Sequence, residues 1–311
     1  MNKKAIIALG GNALIKKGQK GTIYEQFANT RNLSNSVVNI IKDGWNIVLT
    51  HGNGPQVGAI LLQNNMTRDF LPPMPLGVCV AESQGLIGYM IQQTLYNALI
   101  KKGIYKPVVS ILTQVIVDKN DPSFKNPTKP IGPYYDKDKL DELREDGYTL
   151  KKIKDSYRIV VPSPDPKSIV ERDVIKKLLD QGMLVIAIGG GGMPVIEKKE
   201  GDLDGVEAVV DKDLASECLA EEIDADLLVL LTNVEKVFLN YDSEDRKPID
   251  KITLGEIKKY YNKGEFPPGS MGPKILAAIR FLESGGEKVI ISHVDKGYEA
   301  FKGKTGTLIT K

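Results

Sequence analysis

The sequence predicts an α/β fold around a mostly parallel sheet, and two observations predict it. Short apolar runs of strand length recur at wide spacing along the 311 residues, and segments of helical period lie between them. Runs that are apolar at nearly every position suit strands buried on both faces, as parallel strands are. Strand–helix alternation of this kind gives right-handed crossovers and a parallel sheet. The length suits roughly two domains, or one large α/β domain with an insert.

The elements follow in chain order. Ala5–Leu9 is the first strand and runs into Gly10-Gly11-Asn12. Asn46–Thr50 is the second and runs into His51-Gly52-Asn53-Gly54. Glu82–Lys102 is a long helix with Leu86-Ile87, Met90-Ile91, Leu95 and Leu99 on one side. Such a wide apolar face reads as core, with a subunit interface as the alternative. Pro107–Leu112 is the third strand.

Asp118–Pro166 then breaks the rhythm. It is polar, it carries Pro122, Pro127, Pro130, Pro133, Pro162, Pro164 and Pro166, and its one helical piece is the charged Lys137–Glu145. At 49 residues it is long for a structureless loop in a compact domain, so it is expected to form a protruding flap or lid. Beyond it, Ile169-Val170, Val174 and Leu178 predict a helix, and Met183–Ile188 a strand entering Gly189–Gly192. Leu214–Ile223 reads as a helix, Leu227–Leu231 as a strand, Ile275, Ile279 and Leu282 as a helix face, and Lys288–Ile291 as a further strand.

Composition removes several classes of function. Lys plus Arg is 42 against 40 Asp plus Glu, a net charge of +2, which argues against a nucleic-acid coat or a membrane-surface protein. Cys79 and Cys218 form no CxxC pair, and His51 and His293 form no metal motif. No apolar run approaches the roughly 20 residues of a membrane helix, and Met1-Asn2-Lys3-Lys4 opens no signal peptide. The expectation is a soluble, cytoplasmic protein of a reducing compartment. Its chemistry would use glycine backbone, with 30 glycines, and lysine rather than imidazole or thiolate.

The glycines are placed for that. Gly10-Gly11-Asn12, Gly52-Asn53-Gly54, Gly189–Gly192 and Gly269-Ser270-Met271-Gly272 are placed at the ends of predicted strands, the first three directly after the strands named above. Ligands of open α/β sheets bind beyond the carboxyl ends of strands, where glycine lets backbone N–H groups approach an anion. One such pair is an ordinary tight turn; three predict an anion site. Neither common phosphate motif fits. The ending Gly303-Lys304-Thr305 has Tyr298 where a Walker loop needs glycine, and Val57 and Val195 stand where the dinucleotide fingerprint needs it.

Most lysines of such a chain are solvated, but three have unusual settings. Lys129 lies between prolines in Asn126-Pro127-Thr128-Lys129-Pro130, while Lys212 and Lys274 stand at predicted helix starts, where a cation is disfavoured. They are expected to face a phosphate. Asp211 and Asp213 bracket Lys212 and could bind Mg²⁺, orient lysines, or simply cap the helix. His51 could be a base, but a structural histidine is at least as well supported. Cys79 and Cys218 have no visible activating partner.

Longer strings carry a resemblance over essentially the whole chain. They are Ala8-Leu9-Gly10-Gly11-Asn12-Ala13-Leu14, His51-Gly52-Asn53-Gly54-Pro55-Gln56-Val57-Gly58, Asp118–Pro122 with Asn126–Pro130, and Val160-Val161-Pro162-Ser163-Pro164. Gly189–Gly192, Gly205–Asp213 and Gly269–Lys274 continue them. The sequence resembles the amino acid kinase family, and within it the branch that phosphorylates carbamate. The resemblance implies a three-layer αβα sandwich with a flap over 118–166, one kinase domain over 1–311, and a homodimer. It implies a reversible exchange between ATP with carbamate and ADP with carbamoyl phosphate, with Mg²⁺ held mainly by the nucleotide.

The resemblance also distributes roles. Gly10, Gly11, Asn12, Gly52, Asn53 and Gly54 would cradle carbamate and the transferred phosphoryl. Lys129, Lys212 and Lys274 would surround that phosphoryl, with Asp213 organising lysines. Gly189, Gly190, Asp211, Thr232, Met271, Gly272 and Lys274 would line the nucleotide side, which begins near residue 187. Relatives that phosphorylate acetylglutamate carry a lysine where this chain has Ala8; here Lys129 would supply that charge. Another small-acid kinase of the same fold, or a sensor that kept the fold without turnover, are the alternative readings.

Overall fold

A computed structural model describes residues 3–10, 13–16, 18–153, 155–241 and 243–311. From the N-terminus come β1 (Lys4–Leu9), α1 (Ile23–Lys42), β2 (Asn46–His51), α2 (Gly54–Met66), α3 (Leu76–Lys101), β3 (Val108–Ser110) and β4 (Gln114–Val117). The stretch 118–166 holds β5 (Lys129–Tyr135), α4 (Leu140–Glu145), β6 (Leu150–Ile153) and β7 (Ser156–Val161). Next are β8 (Pro166–Ile169), α5 (Arg172–Asp180), β9 (Leu184–Ile186), β10 (Met193–Glu197), β11 (Leu203–Gly205), α6 (Lys212–Glu222) and β12 (Leu227–Thr232). The chain closes with β13 (Val237–Leu239), β14 (Lys247–Ile249), β15 (Lys251–Thr253), α7 (Leu254–Asn262), α8 (Met271–Glu283), β16 (Lys288–His293), α9 (Gly297–Phe301) and β17 (Thr307–Thr310).

The main sheet has the order β15-β17-β16-β12-β1-β2-β9-β3. The six strands from β16 to β3 run parallel; β17 turns antiparallel against β16. Alternate residues explain the layers. Ile6, Ala8, Val48, Leu228 and Leu230 pack with Ile175, Leu219, Ile257, Ile275 and Phe281 of α5 to α8. Ile7, Leu9, Ile47, Leu49 and Val229 pack with Val37, Ile41, Ile87, Ile91 and Leu95 of α1 and α3. Period-two side chains thus fill both faces, and the architecture is the expected α/β sandwich of three layers.

Several expectations need correction. Ile169 does not open a helix: it pairs with Val115 in a strand, and the helix begins only at Arg172. Its buried face is therefore Ile175 and Leu179, while Val174 faces solvent. The stretch 118–166 is more than one helical piece, because β5, β7 and β6 form a three-stranded antiparallel sheet there. Its prolines masked this. Pro130 and Pro133 sit in β5, an edge strand, where a missing N–H costs no ladder bond. A four-stranded sheet, β11-β10-β4-β8, was not anticipated either. The fourth glycine cluster follows α7 and a loop rather than a strand, and opens α8.

The three-stranded sheet is docked by a close crossing. A Cβ on Gly58 of α2 would lie 2.0 Å from the backbone of Gly132 in β5, so only glycine fits there. Gly132 has φ of +69°, a conformation that again favours glycine. Arg158 of β7 donates to the Gly132 carbonyl at 2.6 Å and lies over the Tyr134 ring.

Candidate active site

The parallel topology places the first glycine turns side by side. β1 and β2 are neighbours in register, and Gly52 N–H donates to the Leu9 carbonyl at 3.0 Å. Gly10 follows β1 and lies beside Thr232, at the end of the adjacent strand β12. Gly11 and Asn12, assigned to the same turn, lie outside the described residues. Gly54 begins α2, so its free N–H groups and dipole face the same edge.

The Gly189–Gly192 turn fits between two walls. A Cβ on Gly189 would meet His51 Nε2 at 2.6 Å, one on Gly190 the Asn53 amide at 2.1 Å, and one on Gly191 the Val210 carbonyl at 2.3 Å. Gly190, Gly191 and Gly192 have φ between +67° and +92°, so the turn needs glycine for conformation as well as space. Ile188 before them is also left-handed, at φ 53°, an uncommon state for a β-branched residue. It is held by a buried chain of bonds. Ile188 N–H donates to Thr113 Oγ1 at 3.0 Å, and Gln84 clamps Thr113 through its N–H at 2.9 Å and its carbonyl at 3.1 Å. Asn53 is fixed by donating to Ser83 Oγ at 2.8 Å. Ser83, Gln84 and Thr113 were not singled out in the sequence. The available signal was two polar residues on the buried face of α3.

The three lysines converge. Lys212 Nζ lies 2.5 Å from Asp213 Oδ1, and Lys274 Nζ lies 2.8 Å from Asp213 Oδ2. Lys129 Nζ lies 2.5 Å from Asp211 Oδ2. The other oxygen of Asp211 accepts the Asp213 N–H at 2.9 Å, which makes Asp211 the N-cap of α6. So Asp211 both caps the helix and orients a lysine. Lys212, Asp213 and Lys274 are all buried. Burial alone would raise the aspartates; Lys212 and Lys274 outweigh it at Asp213, and Lys129 does so at Asp211, holding both below the usual carboxylate range. Burial, with the charge of Lys274, lowers Lys212, whereas Asp213 outweighs burial at Lys274 and raises it. Three ammonium groups against two carboxylates leave one positive charge at the mouths of two helices, an arrangement suited to a polyanion.

Two further hydroxyls set the first turn of α6. Ser216 Oγ donates to the Lys212 carbonyl at 2.5 Å, and the Thr50 hydroxyl of β2 lies 2.6 Å from Ser216 Oγ. With the serine proton spent on Lys212, Thr50 is the donor. Met271 and Gly272 open α8, one turn ahead of Lys274; the Gly272 N–H donates to the Pro267 carbonyl at 2.9 Å. His51 is buried, and burial lowers it to about 4 against its bond to Gly52, with the Lys212 charge adding to the fall. Its Nδ1 faces the Gly52 carbonyl oxygen at 3.2 Å, which requires the proton on Nδ1. It is a neutral structural imidazole.

The profile of the amino acid kinase family matches residues 3–293. The chain is 52% identical over 316 residues to the carbamate kinase of Thermococcus kodakarensis, covering 99% of each chain. It is 52% identical over 313 residues to that of Pyrococcus furiosus, again covering 99% of each. Its structure is similar to that of Giardia lamblia carbamate kinase bound to AMP-PNP, with a TM-score of 0.92 and 42% identity over 100% of this chain and 99% of the other.

Proposed function

The chain belongs to the amino acid kinase family, and from that premise we propose that it catalyses reversible phosphoryl transfer between ATP and carbamate, giving ADP and carbamoyl phosphate. It is a phosphotransferase acting on a carboxyl-type acceptor. The observation that carries the reading is the buried cluster of Lys129, Lys212 and Lys274 around Asp211 and Asp213.

Phosphoryl transfer demands little covalent chemistry of a protein; it demands positioning and stabilisation of charge on the equatorial oxygens. Carbamate is an anion near neutral pH, so its oxygen attacks without a base. A neutral, buried His51 suits a site that has no need of one. Gly10, Gly52, Asn53 and Gly54, with Gly11 and Asn12, hold carbamate and the phosphoryl; the three lysines neutralise the phosphoryl, and Asp213 aims two of them. Gly189, Gly190, Asp211, Thr232, Met271, Gly272 and Lys274 lie on the nucleotide side. Transfer is direct and in line, with no phosphoenzyme. The stretch 118–166 delivers Lys129 to the site and shields it from water.

Mg²⁺ accompanies the nucleotide. It would be held mainly by the nucleotide phosphates, where it neutralises oxygen charge, while Asp211 and Asp213 hold the lysines. Supplied with ADP, Mg²⁺ and carbamoyl phosphate, the protein should make ATP. Phosphorylation of a different small acid instead would select a related kinase, and nucleotide binding without turnover would select a sensor.

Two copies pair through the outer side of α3. Leu86, Tyr89, Tyr96 and Ile100 are exposed along that helix as an apolar stripe, with Tyr89 edge-on to Phe27 of α1. Sedimentation equilibrium should give twice the chain mass, and Tyr89→Asp with Tyr96→Asp should give one. A monomeric unaltered chain at micromolar concentration would contradict the pairing. Cys79 and Cys218 are free thiols, which suits the cytoplasm; no described helix is long and apolar enough to cross a membrane.

A further inference from the structure

A second cavity lies between the two helices that carry the lysines. It has a volume of about 290 Å³ and is lined by Pro166, Lys167, Glu217, Cys218, Glu221, Arg280, Glu283 and Ser284. Glu217 stands four residues after Asp213 on α6, and Arg280 six residues after Lys274 on α8. The cavity is thus one to two helical turns from the phosphoryl cluster.

Glu217 is the anomaly. It is only 3% exposed, lines the cavity, and has no hydrogen-bond or ion-pair partner among the described residues. A buried carboxyl without a partner is costly, and such groups are ordinarily satisfied. The neighbouring cations are already engaged. Arg280 makes a two-pronged bond with Asp165, at 2.7 and 3.2 Å, and Lys167 lies 3.7 Å from the same carboxylate. Among the described residues Glu217 and Glu221 thus have no cation partner, while Glu283 pairs with Lys258. No metal-binding group of three His, Cys, Asp or Glu occurs among the described residues. The cavity lacks the ligands of a metal cage but has the charge and size for an organic cation of a few heavy atoms.

We propose that this cavity is a second binding site, for a small organic cation carrying a guanidinium or primary ammonium group, which donates its N–H bonds to Glu217. Occupancy would bridge α6 and α8 beneath the lysines they present. Burial raises the empty Glu217 carboxyl to about 8, with Arg280 opposing and Glu221 and Asp165 reinforcing; Lys167, Glu283 and the Cys218 thiol complete the surroundings. A cation binds the ionised form, so binding expels a proton, and affinity should rise between pH 6.5 and 8.5.

Calorimetric titration of the whole protein with methylguanidinium, and separately with n-butylammonium, tests the site. Saturable one-to-one binding is expected, weakened at least tenfold by Glu217→Gln and by Ser284→Trp, which blocks the exposed rim. ATP formation by Glu217→Gln without added cation should stay within twofold of the unaltered enzyme. Absence of saturable binding by both cations at millimolar concentration would overturn the proposal. So would equal affinities in the unaltered protein and Glu217→Gln. Loss of basal activity in Glu217→Gln would assign the residue to the active-site scaffold instead.

Discussion

Lys212→Ala is expected to lower kcat at least about 100-fold, the scale of removing one preorganised donor aimed at transition-state charge. Lys212 is buried at the first turn of α6, where the helix dipole opposes a cation. Its ammonium is held 2.5 Å from Asp213, and its carbonyl is fixed by Ser216. Burial and Lys274 already lower its pKa, so an anion arriving from solution restores a favourable environment. The truncation leaves Asp213 bonded to Lys274, which limits the loss of stability. Steady-state kinetics in the ATP-forming direction, with thermal melts alongside, separate the two effects. A folded variant within a few-fold of the unaltered kcat would remove Lys212 from catalysis.

Asp213→Ala should have the largest combined effect. It leaves two buried ammonium groups 2.8 Å or less from where their shared partner stood. Removing one member of a buried ion pair costs about 3–5 kcal/mol, because the remaining charge is stranded. Asp213→Asn should lose less stability but still misplace Lys212 and Lys274, lowering kcat. The sign of the pH effect follows from the depressed carboxyl. Its stabilisation is complete above the ordinary aspartate range and fades as pH falls below about 4 toward its lower folded value. Urea denaturation of the Asn variant and the unaltered protein should therefore differ most at pH 7 and converge in strong acid. A difference below about 1 kcal/mol at pH 7 would contradict the buried-pair account.

The main sheet was legible because its central strands are nearly all apolar. Ala5–Leu9 and Asn46–Thr50 could hardly be anything else, and their glycine-rich exits marked one edge. The three lysines were legible through their awkward settings, and the structure brings them together. The three-stranded sheet was not, because Pro130 and Pro133 read as breakers until an edge strand accommodates them. Nor was the left-handed Ile188, whose conformation depends on Thr113 and Gln84, residues 75 and 104 positions away. Long-range bonds of that kind leave no local pattern. The Arg172–Asp180 helix was misplaced by three residues because Ile169 and Val170 suit a strand end as well as a helix start.

The Gly58–Gly132 crossing has a mechanical consequence. Asn53 lies five residues before Gly58 on one backbone, and Lys129 three residues before Gly132 on the other. With no side chain between them, the two backbones act as a rivet rather than a hinge. Any swing of the outer sheet must drag the start of α2 with it, and the loop ahead of that helix moves in step with the Lys129 ammonium. The two parts are geared together, so a displacement at one is delivered to the other without a separate linkage.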